Sequence, residues 1–342
     1  MKLMKSNNKL NIISRFKYWM LIPIVLLVVS IIFGFVFGLN YDYDFKTVSS
    51  FDVKFNTTVT NTEYKELSKQ LKTLVKSEFT DFRIEKIGDG AQNGLLVKIA
   101  NENGEFDTQI ETLKNTIETK LLENTGDKLT SPVTITTTDT YKILPKDVSS
   151  LIGYSVLALA CIMLFVFIYY AIRYNLTASV SIVLTILFEI AMLLTVMIVA
   201  RIPFNYYFVV SYFVMTISTI IISSYLNNYI RSNLNVEKYN KYSNADRVYD
   251  AYARTIKPIM IFVALLSLSL FAIMFFGNST LIYTMLSIIV SLMVGLFGIY
   301  FFEFSIWSFW YKKDKDATLK RKIEAENKKS TQTSKTDEKI VV

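Results

Sequence analysis

Polar and apolar positions fall into long blocks along this chain, and six of the apolar blocks are long enough to cross a bilayer. They run from Tyr18 to Leu39, Leu151 to Ile172, Thr177 to Ala200, Phe204 to Leu226, Ile259 to Phe276 and Leu281 to Trp310. A largely polar segment, residues 40–150, separates the first from the other five. The pattern predicts an α-helical polytopic membrane protein with six transmembrane helices and a folded domain between helices 1 and 2. The last block exceeds one perpendicular crossing, so it is expected to tilt or to leave the bilayer before Trp310.

The pattern inside residues 40–150 changes period. Phe51, Val53, Phe55 and Val59 alternate with Asp52, Lys54 and Asn56, as a half-buried strand requires. Tyr64, Leu67, Leu71, Leu74 and Val75 then fall at helical spacing, with Thr60 and Glu63 placed as a capping box. Phe82, Ile84 and Ile87 predict a second strand, Gly88 to Gly94 a turn, and Leu95, Val97 and Ile99 a third strand paired back on it. Phe106, Ile110, Leu113, Ile117 and Leu121 give a second helix closing near Gly126, and Val133, Ile135 and Tyr141 a last strand. The order strand, helix, strand, strand, helix, strand is that of an α+β ferredoxin-like unit.

Charge orients the layout. Lys2, Lys5, Lys9, Arg15 and Lys17 precede the first span, which is longer than the apolar run of a signal peptide and is expected to remain as an anchor. Residues 1–17 are therefore expected in the cytoplasm and residues 40–150 outside, with both termini inward. The loop 227–257 and the tail 311–342, both expected inside, are basic, through Arg231, Lys238, Lys241, Arg247, Arg254 and Lys257 and through Lys312, Lys313 and Lys315. The exterior segment carries more acids than bases, so the net charge of +8 reads as a membrane topology signal and not as a nucleic-acid footprint. The tail, rich in Lys, Glu, Ser and Thr, is expected to be disordered with its basic start near lipid.

Composition narrows the chemistry. The chain has 0 histidines, which removes Ser-His-Asp and Cys-His catalysis and the usual zinc ligand. Its 1 cysteine, Cys161, lies in the second span, so no disulfide can hold the exterior domain together. Acids in that domain are spread over helix faces and loops without the pairing that acid–base or metal chemistry needs. The expectation is a protein that is not an enzyme and needs no cofactor and no metal.

Polar residues inside the spans are the candidate functional groups. Glu189, in T-I-L-F-E-I-A-M of the third span, would cost about 2.5 kcal/mol or more as a bare charge at mid-membrane, so it needs a partner or a proton. It reads either as a proton-relay carboxylate or as a neutral Glu hydrogen-bonding between helices. Arg254, in A-R-T-I-K-P before the fifth span, can snorkel to water or turn toward an acid, Lys257 reads as an anchor, and Pro258 suits the first turn of a helix. Thr216, Ser218, Thr219, Ser223 and Ser224 of the fourth span can join helices or open a polar seam. Glu303 is expected to snorkel at the inner end of the sixth span, and Gly295 and Gly298 permit close helix contact.

Several motifs resemble those of SecF, the smaller subunit of the SecDF protein-translocase accessory complex, a relative of the proton-driven resistance-nodulation-division transporters. Asp44-Phe45 after the first span is similar to that family's G-x-D-F-x-G-G, with Val48 and Ser49 where glycines stand in the family. Y-A-I-R-Y at 170–174, containing Arg173, is similar to its A-L-R-F turn, and Phe204-Asn205 to its F-N before the fourth helix. N-N-Y-I-R-S-N at 227–233 keeps the Ile, Arg231 and Asn233 of its F-D-R-I-R-E-N, and A-R-T-I, with Arg254 and Thr255, is similar to its S-R-T-I. An H-D pair in the family's third helix stands here as Phe188-Glu189, and Ile222 takes the place of the fourth-helix aspartate of the proton pathway.

The resemblance implies an accessory subunit that pairs with SecD, engages the SecYEG channel and an unfolded polypeptide in transit, and draws on the proton motive force through Glu189 and Arg254. Membrane lipid is the further expected partner and nucleic acid is not one. Two other readings stay open: a subunit of the translocase that has lost proton use, and a solute or lipid transporter of the same superfamily.

Overall fold

The computed structural model describes residues 16–56, 59–87, 94–101, 104–125, 134–145, 147–234, 244–275 and 279–311. Lys2, Lys5, Lys9 and Arg15, the tail from residue 312, most of the turn expected at Gly88 to Gly94, the helix end expected near Gly126 and Val133 of the expected last strand lie outside them.

Two short helices, α1 (Phe16–Trp19) and α2 (Leu21–Phe37), open the described chain and are linked by i→i−4 bonds across Met20. Five later helical stretches are long and apolar enough to cross a membrane: Ser149–Arg173, Leu176–Val199, Phe208–Arg231, Arg247–Met274 and Thr280–Tyr311. They belong to α5 (Val148–Arg173), α6 (Leu176–Val199), α7 (Phe208–Leu234), α8 (Asn244–Met274) and α9 (Ser279–Phe297), the last continuing through a π-helical turn, Gly298–Glu303, to Tyr311. Helix α7 packs on α9, α6 on α5 and α2, and α8 on α9. The centre of the bundle is therefore α6, α7 and α9, while α5 and α8 leave most of their apolar surface exposed.

Between α2 and α5 lies the α/β domain, with β1 (Val48–Phe55), α3 (Asn61–Glu78), β2 (Phe82–Lys86), β3 (Gly94–Ala100), α4 (Asp107–Thr125), β4 (Ile135–Thr137) and β5 (Tyr141–Ile143). The sheet order is β2-β3-β1-β4, every pairing antiparallel, with β5 on β1 as well. Register places Phe51 opposite Val97 and Val53 opposite Leu95, so one face of the sheet is apolar. Leu67, Leu71 and Val75 of α3 and Ile110, Leu113, Ile117 and Leu121 of α4 close over that face and are buried with it. Each such aliphatic side chain contributes about 1.5–3 kcal/mol on burial. The capping box is present: Glu63 N–H donates to Thr60 Oγ1 and Thr60 N–H to Glu63 Oε2 at 2.8 Å.

Four expectations need correction. The last strand is two short ones, because β4 pairs with the Val53–Phe55 end of β1 and β5 with the Val48–Ser50 end, and Thr138 breaks away to bond Asp52. Phe106 precedes α4 and packs its ring on Phe79 instead of filling the helix face. Pro258 lies inside α8, since the helix starts at Asn244 and buries Val248, Ala251, Tyr252, Thr255, Ile259 and Val263 at helical spacing; that packing outweighs the roughly 3 kcal/mol cost of an interior proline. The segment 227–257 is correspondingly helical at both ends, through Leu234 and from Asn244.

Candidate functional site

Positions Ser211, Met215, Thr219, Ser223 and Asn227 recur every four residues and so share one face of α7. That face meets α6 and α9, and its hydroxyls are satisfied across the helix interfaces. Ser211 Oγ and Ser287 Oγ of α9 lie 2.5 Å apart. Thr219 Oγ1 donates to Glu189 Oε2 of α6 at 2.7 Å. One turn on, Ser223 Oγ donates to Glu303 Oε1, and Asn227 Nδ2 donates to Ser223 O at 3.0 Å. At the end nearest the α/β domain, Asn205 Nδ2 donates to Thr284 Oγ1 at 2.8 Å and to Thr280 O at 3.2 Å. All of these side chains are buried. Of the hydroxyls expected on the fourth span, Thr219 and Ser223 join helices along this seam and Ser224 bonds Tyr170 of α5, while Thr216 bonds Tyr212 O of its own helix.

Glu189 is 0% exposed and Glu303 1%. None of the ion pairs among the described residues includes either acid. Glu303 therefore does not snorkel. Glu303 closes the π-helical turn, and its carboxyl is enclosed in the bundle on the side of Leu292 and Ile299, which are buried with it. Both glycines expected to allow close contact do so: a Cβ at Gly295 would come within 3.3 Å of Thr219 Oγ1, and one at Gly298 would run into the Glu189 carboxyl. Beside Glu189, Phe188 stacks on Phe302 with centroids 4.3 Å apart. Sequence reasoning missed the partnership of Ser223 with Glu303, because it joins two helices whose packing the sequence does not show.

Glu189 and Arg254 have different partners. Arg254 Nε is 3.2 Å from Asp250 Oδ1 and its guanidinium lies over the Tyr229 ring at 5.9 Å. Thr255 Oγ1 donates to Ala251 O of its own helix. Arg231 Nη1 donates to the backbone oxygen of Arg173 at 2.5 Å, so two motif arginines meet where α5 ends. Ile222 is 5% exposed and belongs to the apolar core. The side chain of Asn233 lies outside the described residues.

The remaining motif residues form a strap between the α/β domain and the bundle. Asp42 N–H donates to Phe204 O, Phe204 N–H to Asn40 O at 2.8 Å, and Tyr206 N–H to Asp44 Oδ2 at 3.3 Å, while Tyr41 and Phe204 make a parallel bridge. Phe45 packs edge-on against Tyr41. Phe204 and Asn205 are thus extended strap residues, and α7 starts only at Phe208. The segments after α2 and before α7 are held as one piece.

A second fastening was not visible in the sequence. Arg83 of β2 is ion-paired with Asp42, which is fully buried, and its guanidinium lies over the rings of Tyr43 at 4.6 Å and Tyr283 of α9 at 5.6 Å. Tyr43 Oη donates to Asp81 Oδ1 at 2.6 Å and Lys46 Nζ to Asp81 Oδ2 at 2.7 Å. Burial works to raise the Asp81 pKa, but the hydrogen bonds from Lys46 and Tyr43 and the charges of Lys46 and Arg83 outweigh it and hold the carboxyl below its ordinary 3.8. Desolvation, aided by Asp81, pushes the Tyr43 phenol up.

Residues 124–313, more than half of the chain, match the family model described as protein export membrane protein SecD/SecF, C-terminal. The chain belongs to the SecD/SecF family. Among solved structures, a crystal structure of SecDF in its super-membrane-facing form is similar at a TM-score of 0.66 and 18% identity, covering 94% of this chain and 41% of that one. A second, SecDF of Thermus thermophilus, described as a translocon-associated membrane protein, is similar at a TM-score of 0.56 and 16% identity, covering 89% and 39%. The likeness is one of fold, and this SecD/SecF chain spans about two fifths of those proteins. No curated protein matches it. Family and spans together make it a multi-pass membrane protein.

Proposed function

We propose that this chain is the SecF-type half of a SecDF-like accessory complex, which pairs with a SecD-type half beside the SecYEG channel and uses the proton motive force to help draw an exported, unfolded polypeptide outward. The observation that carries this reading is that one helix serves both ends of such a machine. Helix α7 bears the contact to Glu189 in the bundle, and the strap residues Phe204 to Tyr206 immediately before it hold the root of the α/β domain. A shift of α7 when Glu189 changes protonation would move the domain with it. Arg254 belongs to this reading by its family motif, acting from the α8 side.

On the same reading the α/β domain is ferredoxin-like, supported by its sheet order, in which β3 lies between β1 and β2. Helices α1 and α2 supply a sixth crossing, and the basic segments keep both termini inside and the domain outside. The chain is a non-enzymatic subunit without a cofactor.

The test is export into inverted membrane vesicles carrying the full complex, with and without a proton gradient. Glu189→Gln should abolish the gradient-dependent part of export while leaving assembly with the SecD-type partner intact. Export kinetics that do not change would remove Glu189 from the mechanism. A chain that purifies as a homo-oligomer without a SecD-type partner would favour the solute or lipid transporter, and protease that cannot reach the α/β domain on intact cells would overturn the orientation.

A further inference from the structure

Glu189 has a task in such a machine, whereas a second buried acid, Glu303, has none so far. Glu303 is as deeply enclosed as Glu189, although it arrives from a different helix. Both acids end on the same face of α7: Thr219, which donates to Glu189, and Ser223, which donates to Glu303, are four residues apart, a rise of about 6 Å. Each keeps one oxygen, Oε1 of Glu189 and Oε2 of Glu303, with no hydrogen-bond partner among the described residues.

An acid that only braced two helices would be expected to satisfy both oxygens, since a buried unpaired acceptor costs about 1–3 kcal/mol. These two do not, and their open oxygens belong to a single hydroxyl-lined seam. Two phenols enter the same part of the bundle, that of Tyr170 from α5, bonded to Ser224, and that of Tyr252 from α8, bonded to Tyr300 O. The acid ends a π-helical turn, a local irregularity common at functional sites. The same turn begins at Gly298, whose missing side chain makes room for Glu189.

We propose that Glu303 is a second proton-carrying carboxyl of the path that contains Glu189, the two acids exchanging one proton along the Thr219 and Ser223 face of α7, so that α7 itself, with Ile222 in its apolar core, needs no carboxylate. In the exchange, Glu189 gives up its proton and becomes the carboxylate as Glu303 takes a proton and becomes the acid, so the seam's total charge is unchanged. The inference rests on the proton-coupled reading of the protein and extends it to a residue on α9's continuation.

The experiment compares Glu303→Gln, Glu303→Asp and Glu189→Gln in the complete complex in vesicles. Expected is loss of the gradient-dependent component of export in Glu303→Gln, as complete as in Glu189→Gln, and partial recovery in Glu303→Asp. A full gradient response in Glu303→Gln beside a lost one in Glu189→Gln would overturn the proposal and leave the coupled function standing. A full response in both variants would overturn both. Infrared difference spectroscopy on the wild-type complex guards against a variant that fails to assemble. A carboxylic-acid band that shifts in Glu303→Asp and changes when the gradient is imposed supports the proposal, and a Glu303 band indifferent to the gradient defeats it.

Discussion

Gly298 and Glu189 touch so closely that the glycine's absent side chain is the space the carboxyl occupies. The contact crosses from the π-helical turn to α6 and fixes where the acid's oxygens point. Gly298→Ala should therefore force Glu189 off Thr219, at an overpacking cost of about 1–3 kcal/mol. Thermal unfolding of the purified chain in nanodiscs reads the cost. Gly295→Ala, whose added carbon would meet Thr219 Oγ1 at 3.3 Å, should cost less.

The ion pair at the domain root offers a cleaner energetic test. Arg83→Met leaves the Asp42 carboxylate buried and uncompensated, for an expected loss of about 3–5 kcal/mol. Asp42→Asn should cost less, because Arg83 keeps Glu85 at 3.8 Å and the rings of Tyr43 and Tyr283. The double variant should then lose less than the two single losses added together, with a coupling of about 0.5–3 kcal/mol. Additive losses in a thermal unfolding cycle would show that the pair does not fasten the domain.

Acid should loosen the same fastening. The folded pKa of Asp81 lies below its ordinary 3.8, so its contribution to stability is fully present above that value. Below it the unfolded chain takes up a proton that the folded domain resists, and the contribution fades as the pH falls through the depressed folded value. Acid unfolding of wild type and Asp81→Asn should accordingly differ most above pH 3.8 and converge below it. Because Asp81 is half exposed, salt should shrink the difference.

Where periodicity carried the information, the sequence was sufficient. The α3 and α4 faces, the β1 and β3 alternation and the blocks around α5, α6 and α7 lie where their apolar spacing put them, because burial of those side chains dominates the local energetics. It failed where tertiary contact overrides a local rule: Pro258 inside α8, the last strand divided over the two ends of β1, and Glu303 enclosed in the bundle instead of reaching for water. Glu189 stood out as a charge in hydrocarbon, but its partner Thr219 was one of seven Ser and Thr residues on α7 with nothing in sequence to single it out. Arg83 and Asp42 were equally hidden, since their pairing depends on how the domain sits on the bundle.

Thr219 gives the sharpest separation between packing and polarity. Valine has nearly its shape, so Thr219→Val removes the hydroxyl with little change in volume and strands Glu189 without its one donor at 2.7 Å. The unpaired carboxyl should cost about 1–3 kcal/mol of stability. Thr219→Ser keeps a hydroxyl on the same helix position and should restore most of that loss, along with the gradient-dependent part of export. If valine and serine behave alike in nanodisc melts and in vesicle export, the hydroxyl is not what holds Glu189, and the seam along α7 is packing alone.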